Sequence, residues 1–233
     1  MKKELAWIDL GLITYEDAFV IQEQLHEKCV TKTWPDTLLF QENYPVITLG
    51  RGTHEQNLLQ TPAELLDQGI ALTAVSRGGD VSYHGNGQFI VSPILHFDQY
   101  VKGAHQYVRC LEQVVINLLS HYQLEGKRIK GRSGVWVVEP ETGEDKKVSA
   151  LGIAVSHGVT LHGMSINVNP NLDHFKAIIP CGIADKGVTS MESCGCPPID
   201  LSDLRDQFIL AFDEMFGTHT TKSTIDEIVS HKR

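Results

Sequence analysis

Between Gly134 and Val168 the chain offers few choices of fold. GVWVV (Gly134 to Val138), KVSALGIAV (Lys147 to Val155) and VTLHGMSINV (Val159 to Val168) are β-type runs, rich in valine and isoleucine. Glu139 to Asp145 separates the first two as a hairpin loop, with Pro140 and Gly143 as turn residues, and Ser156 to Gly158 leaves only a tight turn before the third. A parallel crossover needs a dozen or more residues, so connections this short predict antiparallel pairing.

Further β-type runs precede this block: TLLF (Thr37 to Phe40), VITLG (Val46 to Gly50), ALTAV (Ala71 to Val75) and QFIVSPIL (Gln88 to Leu95). Helical patterns lie among them. Thr14 to Cys29 reads as a helix capped by Thr14 with Asp17 as reciprocal partner, burying Ala18, Ile21 and Leu25. Thr61-Pro62-Ala63-Glu64 is a helix start, with Gly69 as its stop. Val108, Leu111, Val115, Leu118 and Tyr122 mark a longer helix. Ser202 opens another, about 202–216, with Leu204, Phe208, Phe212 and Met215 inward and Gly217 ending it. The sum is α/β or α+β: a single domain, 1–233, with a mixed sheet flanked by helices. The strict βαβ alternation of a dinucleotide fold is absent, as are internal repeats and low-complexity tracts.

With 42% hydrophobic and 21% charged residues the composition is that of a globular protein, and no apolar run reaches membrane-spanning length. MKKELAWIDL lacks a signal-peptide core, and a cytoplasmic location is expected. The net charge of −9 argues against nucleic acid. One basic cluster stands out, Lys127 to Arg132, read either as a solvated loop or as a docking patch for an acidic macromolecule. Five cysteines at irregular spacing form no disulfide framework. Cys194-Gly195-Cys196 has no second pair at a ligand spacing, so no metal is expected and a loop of free thiols is.

Chemistry concentrates in a few places. Cys181 sits between proline and glycine in PCGIADKGVTS, just after Ile178 and Ile179, where a rigid loop leaves the sulfur approachable. Lys147 opens its strand and is a partner for that thiol, since an amine beside a thiol makes a nucleophile at neutral pH. From the residues alone, a solvated hairpin lysine is the simpler reading. RGGDVSYHGNGQ (Arg77 to Gln88) surrounds an arginine, a tyrosine and a histidine with glycines before a strand. It is a glycine-rich turn or a ligand loop, and it matches neither the dinucleotide nor the P-loop spacing. His162 alternates with apolar neighbours and is either a hydrogen-bonded core residue or a pocket residue.

DTLLFQENYPVITLGR, RGGDVSYHGNGQ, KVSALGIAVSHGVTLHGMSINVN and IIPCGIADKGVTS resemble, in order, the signature segments of the lipoyl(octanoyl) transferases, the lipoate-protein ligase B family, from about Asp36 to Ser190. The resemblance implies that Cys181 carries the acyl group and that Lys147, with Gly152 in the same strand, is its partner. It implies an acyl pocket built from Arg77, Gly78, Gly79, Asp80, Val81, Ser82, Tyr83 and His84, with Ala150, Leu151 and Gly152, and with Gly163, Met164 and Ser165. The implied fold is that of biotin and lipoate protein ligases. The implied reaction moves octanoyl from the thioester of acyl carrier protein to a lysine of lipoyl domains, those of 2-oxoacid dehydrogenases or the glycine cleavage H protein. Neither ATP nor metal is implied. Asn86 departs from the proline common in the family. An ATP-dependent lipoate or biotin ligase on the same fold, and a non-catalytic lipoyl-domain binding module, are the alternatives; a cysteine hydrolase lacks a visible Cys-His-Asp arrangement.

Overall fold

The computed structural model describes residues 2–179 and 186–230. In chain order the strands are β1 (Lys3–Ile13), β2 (Thr37–Asn43), β3 (Val46–Leu49), β4 (Ala71–Ala74), β5 (Val81–His84), β6 (Gln88–Ile94), β7 (Lys127–Ile129), β8 (Arg132–Val138), β9 (Asp145–Ser156), β10 (Val159–Asn167) and β11 (Thr218–Lys222). The α-helices are α1 (Tyr15–Val30), α2 (Pro62–Asp67), α3 (Ala104–His121), α4 (Leu201–Phe216) and α5 (Ile225–Ser230).

Among the described residues, eight strands form one sheet in the order β11-β1-β2-β6-β10-β9-β8-β7, and β4-β3-β5 form a second. The predicted antiparallel block is present as β8, β9 and β10. His157 and Gly158 turn the β9–β10 hairpin, both at positive φ. β1 is parallel to β2 and to β11, which makes the large sheet mixed.

Side chains of the large sheet divide by alternation. Leu38, Phe40, Phe89, Val91, Val135, Val148 and Ile166 pack with Leu111, Val115 and Leu118 of α3 and Leu204, Phe208 and Phe212 of α4 into the main core. Each such fully buried side chain contributes about 1.5–3 kcal/mol. On the opposite face, Leu39 and Ile94 pack with Leu25 and Cys29 of α1. The small sheet has its own core of Ile47, Leu65, Val81, Tyr83, Phe175 and Ile178.

The helix ends follow local chemistry. Thr14 Oγ1 accepts from the Asp17 N–H and donates to the Asp17 carboxylate. Thr61 and Glu64 close a capping box around Pro62. α4 begins slightly earlier than Ser202 implies, because Asp200 is its cap and accepts from the Ser202 N–H at 2.7 Å. Gly217 ends it at φ 68°, as its position predicts.

The basic cluster is not a solvated loop. Lys127 to Ile129 form β7, and Lys127 Nζ lies 2.6 Å from Asp145. Arg128 Nε donates to the fully buried Glu112 carboxylate at 3.1 Å, and its Nη2 to the Arg109 carbonyl. These two charges serve the fold. Lys130 remains exposed. The loop of free thiols is present, since Cys194 and Cys196 are unpaired in a turn, and both are buried in the main core.

Candidate active site

A cavity of about 370 Å³ lies between the two sheets and α1. Gln41 and Asn43 of β2, Ile90 and Ser92 of β6 and Gly163 and Ser165 of β10 floor it. These positions alternate with the core residues just named, so one pleat builds both the core and the cavity. Tyr15 and Gln22 of α1 close one end, and Arg77 to Asp80 with Ser82 and His84 form the roof. Ala150, Leu151, Gly152, His162 and Met164 complete the expected lining.

Val81 and Tyr83 do not line this cavity. Along β5 they alternate with Ser82 and His84 and point into the small core, where the Tyr83 hydroxyl lies 2.8 Å from His174 Nδ1. Burial pushes the Tyr83 phenol up to about 12. Gln22, Gly52, His54, Ser92 and Ser133 line the cavity and carried no motif of their own, while Gln41 and Asn43 stood in the DTLLFQENYPVITLGR segment without an expected pocket role.

Arg77 lines the roof and also holds it. Its Nη2 donates to the Thr48 carbonyl at 2.8 Å and its Nη1 to the Asp80 carbonyl at 2.7 Å, so the loop folds around its own guanidinium. Gly78 N–H donates to the Ile153 carbonyl and ties the roof to the large sheet. Asp80 accepts from the N–H groups of Val81 (2.7 Å) and His54 (3.2 Å) and from the Asn57 amide. Burial alone would raise this carboxyl; those hydrogen bonds outweigh it and hold Asp80 below the usual carboxylate range.

His162 is where alternation fails. Thr160 and Met164 face α3 and the main core, and a regular strand would send His162 with them. Its φ of 58° turns the ring to the opposite side. There it stacks on Phe19 at 5.2 Å, with Nε2 2.9 Å from Ser76 Oγ and Nδ1 3.3 Å from the Tyr15 hydroxyl.

Lys147 reaches the same side by a bulge. Val135 pairs with Ser149 and Trp136 with Lys147, so β9 carries one extra residue at Val148. Without it, Lys147 would share a face with Ser149. With it, Lys147 lies against Ala150, Ser165 and Tyr83 in a small cavity beside the large one, which shares Ser82, Ala150 and Ser165. Gly134 makes room, since a Cβ there would stand 2.4 Å from the Ser149 carbonyl and 3.3 Å from Lys147 Cε. Lys147 is 5% exposed, and its Nζ has no hydrogen-bond partner among the described residues. It is no solvated hairpin lysine.

Cys181 lies outside the described residues, but both flanks of its segment are placed. Upstream, Ile178 bridges Leu58, and Ile179 N–H donates to the Asn57 carbonyl. Downstream, Lys147 N–H donates to the Gly187 carbonyl, and Thr189 N–H donates to the Lys147 carbonyl. A chain of side chains supports that flank. His84 Nδ1 meets Gln88 Oε1 at 3.1 Å, the Gln88 amide donates to Asn167 Oδ1, and Asn167 donates to the Thr189 carbonyl.

The Lipoyl protein ligase A/B catalytic domain matches residues 14–213. The chain belongs to that family. It is 40% identical over 228 residues to the octanoyltransferase of Caldicellulosiruptor saccharolyticus, covering 96% of this chain and 94% of that protein. It is 42% identical over 221 residues to the octanoyltransferase of Porphyromonas gingivalis, covering 93% of this chain and 45% of that longer protein. Among solved structures, a lipoate-protein ligase A bound with ATP superposes with a TM-score of 0.72 at 15% identity, over 99% of this chain and 92% of that one. The fold is thus the expected one, shared with lipoate and biotin protein ligases.

Within this family fold His84 and His162 are held neutral. Burial first, then the nearby Arg77, depresses His84 to about 3 and His162 to about 4. Unfolding returns both rings to an ordinary value of about 6.5, so the unfolded chain binds more protons below it. Their contribution is fully present above that pH and is lost as pH falls through the window toward 4 and then 3. The expected loss is about 1.4 kcal/mol per pH unit for each ring. Urea midpoints should fall between pH 7 and pH 5, and His162→Asn, which tolerates positive φ, should remove about half of that dependence. An unaltered dependence in the variant would assign it to other groups.

Three further groups have structural roles. Cys29, Asp36 and His96 lie within 4.8 Å of one another. Asp36 accepts from Cys29 Sγ at 3.1 Å, His96 Nδ1 at 2.8 Å and the Tyr100 hydroxyl at 2.7 Å, and these hydrogen bonds close the cluster. Asn86 is exposed in the turn after β5 and lines neither the large cavity nor the one beside Lys147. Among the described residues no helix is long and apolar enough to cross a membrane.

Proposed function

We propose that the chain transfers an octanoyl group from the thioester of acyl carrier protein to a lysine of a lipoyl domain, through an acyl-cysteine at Cys181. The acceptors are the lipoyl domains of 2-oxoacid dehydrogenases and the glycine cleavage H protein. The observation that carries this reading is Lys147: a buried amine with no hydrogen-bond partner among the described residues, whose backbone pairs with Gly187 and Thr189, just downstream of the Cys181 segment. Burial raises the thiols of Cys29, Cys110, Cys194 and Cys196, which keeps them protonated and poor as nucleophiles. Setting those four aside supports Cys181, the cysteine that the family resemblance implies, as the nucleophile.

In the first half-reaction Cys181 Sγ attacks the thioester carbonyl, the carrier's C–S bond breaks, and the carrier thiol leaves with the proton that Cys181 gave up. In the second, the acceptor amine forms the C–N bond, the Cys181 S–C bond breaks, and a proton passes from the amine to the thiolate. Lys147 Nζ relays the proton in both halves. The donor is already an activated acyl, so ATP has no step to drive. The ATP-dependent ligase reading leaves Cys181 without a role.

Mixed with octanoyl carrier protein and no nucleotide, the enzyme should gain one octanoyl mass, release it to hydroxylamine, and map it to Cys181. Cys181→Ser should load poorly. An acyl group on another cysteine, or only after ATP is added, overturns the assignment.

A further inference from the structure

Trp136 of β8 and Lys147 of β9 are directly opposed residues on neighbouring strands. Lys147 Nζ lies 4.9 Å from the centre of the Trp136 ring. Trp136 is 1% exposed, and its Nε1, like Lys147 Nζ, has no hydrogen-bond partner among the described residues. A buried cation needs compensation, and here the ring face supplies it. A carboxylate partner would compensate the charge more strongly, but it would consume N–H donors and fix their direction. A ring face attracts the charge without a directional bond, leaving the three donors of the amine for other groups.

We propose that Trp136 is a positioning residue for acyl transfer. Its π face holds the Lys147 amine beside the cavity with its donors unspent, ready for the reacting sulfur and the oxygen that becomes negative as the thioester is attacked. The inference rests on the catalytic reading of Lys147 and adds to it the device that keeps the amine in place. The bulge at Val148 and the missing side chain at Gly134 belong to the same device, since one turns the lysine toward the ring's side and the other clears its stem.

The test replaces Trp136 alone with tryptophans carrying increasing numbers of ring fluorines, which preserve shape while draining the π face. Single-turnover loading from octanoyl carrier protein should slow stepwise, reaching about tenfold at the most fluorinated ring, with the concentration for half-maximal rate unchanged. Trp136→Phe should lose about threefold, because its π face is weaker but present. A flat fluorination series overturns the proposal, even if Trp136→Leu is inactive, because packing alone would then explain the residue. Lys147→Met separates the two levels. If it loads at the wild-type rate, the catalytic reading of Lys147 fails; if it does not load while the series stays flat, only the positioning role fails.

Discussion

Lys147→Met should slow acyl loading by about a hundredfold or more while leaving the protein as stable as before or more so. On the proposed mechanism the variant loses the group that relays protons in both half-reactions, a contribution typically of 10²–10⁴. The stability effect has a separate cause. Lys147 Nζ is buried without a hydrogen bond among the described residues, and the Trp136 face offsets only part of a desolvation cost that a thioether of similar length does not bear. A gain of about 1 kcal/mol is expected. Rapid-quench loading assays and urea unfolding read the two quantities independently. A folded variant with wild-type loading removes Lys147 from the chemistry, and a large loss of stability would make it a packing residue.

Gly163→Ala should be the most damaging small substitution in the floor of the cavity. The added Cβ would stand 2.1 Å from the Val91 carbonyl oxygen, 2.7 Å from Pro93 Cδ and 3.1 Å from Ser92 Cα. The first and last of these are backbone of the adjacent strand β6, so no rotamer relieves the clash. β6 and β10 would have to separate where they form the middle of the sheet. Overpacking of this kind costs about 3 kcal/mol or more, and a drop in Tm of about 10 °C is expected for a domain of this size. Gly143→Ala, in the exposed β8–β9 hairpin at φ 69° with nothing within 4 Å of the added carbon, serves as the control for backbone strain alone, about 1 kcal/mol. Similar melting temperatures for the two variants would show that the sheet accommodates the methyl group.

The antiparallel block from β8 to β10 was legible because its signals are local: β-type runs, turn residues and connections too short to cross over. The helix caps at Thr14 and Thr61 were legible for the same reason. β1 and β11 were not, since their pairing joins Lys3 to Thr218 and no local pattern reports a partner so distant. β7 was hidden by its charge: Lys127 and Arg128 read as solvated until Asp145 and Glu112 arrive from other elements to pair with them. At the site, the glycine-rich run marked the roof, but period two within β5 divided it, sending Tyr83 into the small core and His84 into the cavity. The two positions most dependent on local distortion, Lys147 with its bulge and His162 with its left-handed backbone, lie on faces that simple alternation assigns wrongly. Gln41 and Asn43 gave no pocket signal because their importance comes from the strand face they share with Ser92 and Ser165.

The chain enters residues 180–185 from the small core and leaves them along both sheets, since Val188 also packs against the small core. Ile178 is packed in the core of the small sheet, while Thr189 is laddered to β9 in the large one. Residues 180–185, Cys181 among them, connect these two flanks in the sequence. The position of the upstream flank depends on how tightly Ile47, Phe175 and Ile178 pack, none of which lines the large cavity. A replacement in that small core therefore shifts the anchors on either side of Cys181 from outside the large cavity. Through descent, substitutions there and along the Lys147 edge of β9 should not be independent: what one tightens, the other must let out.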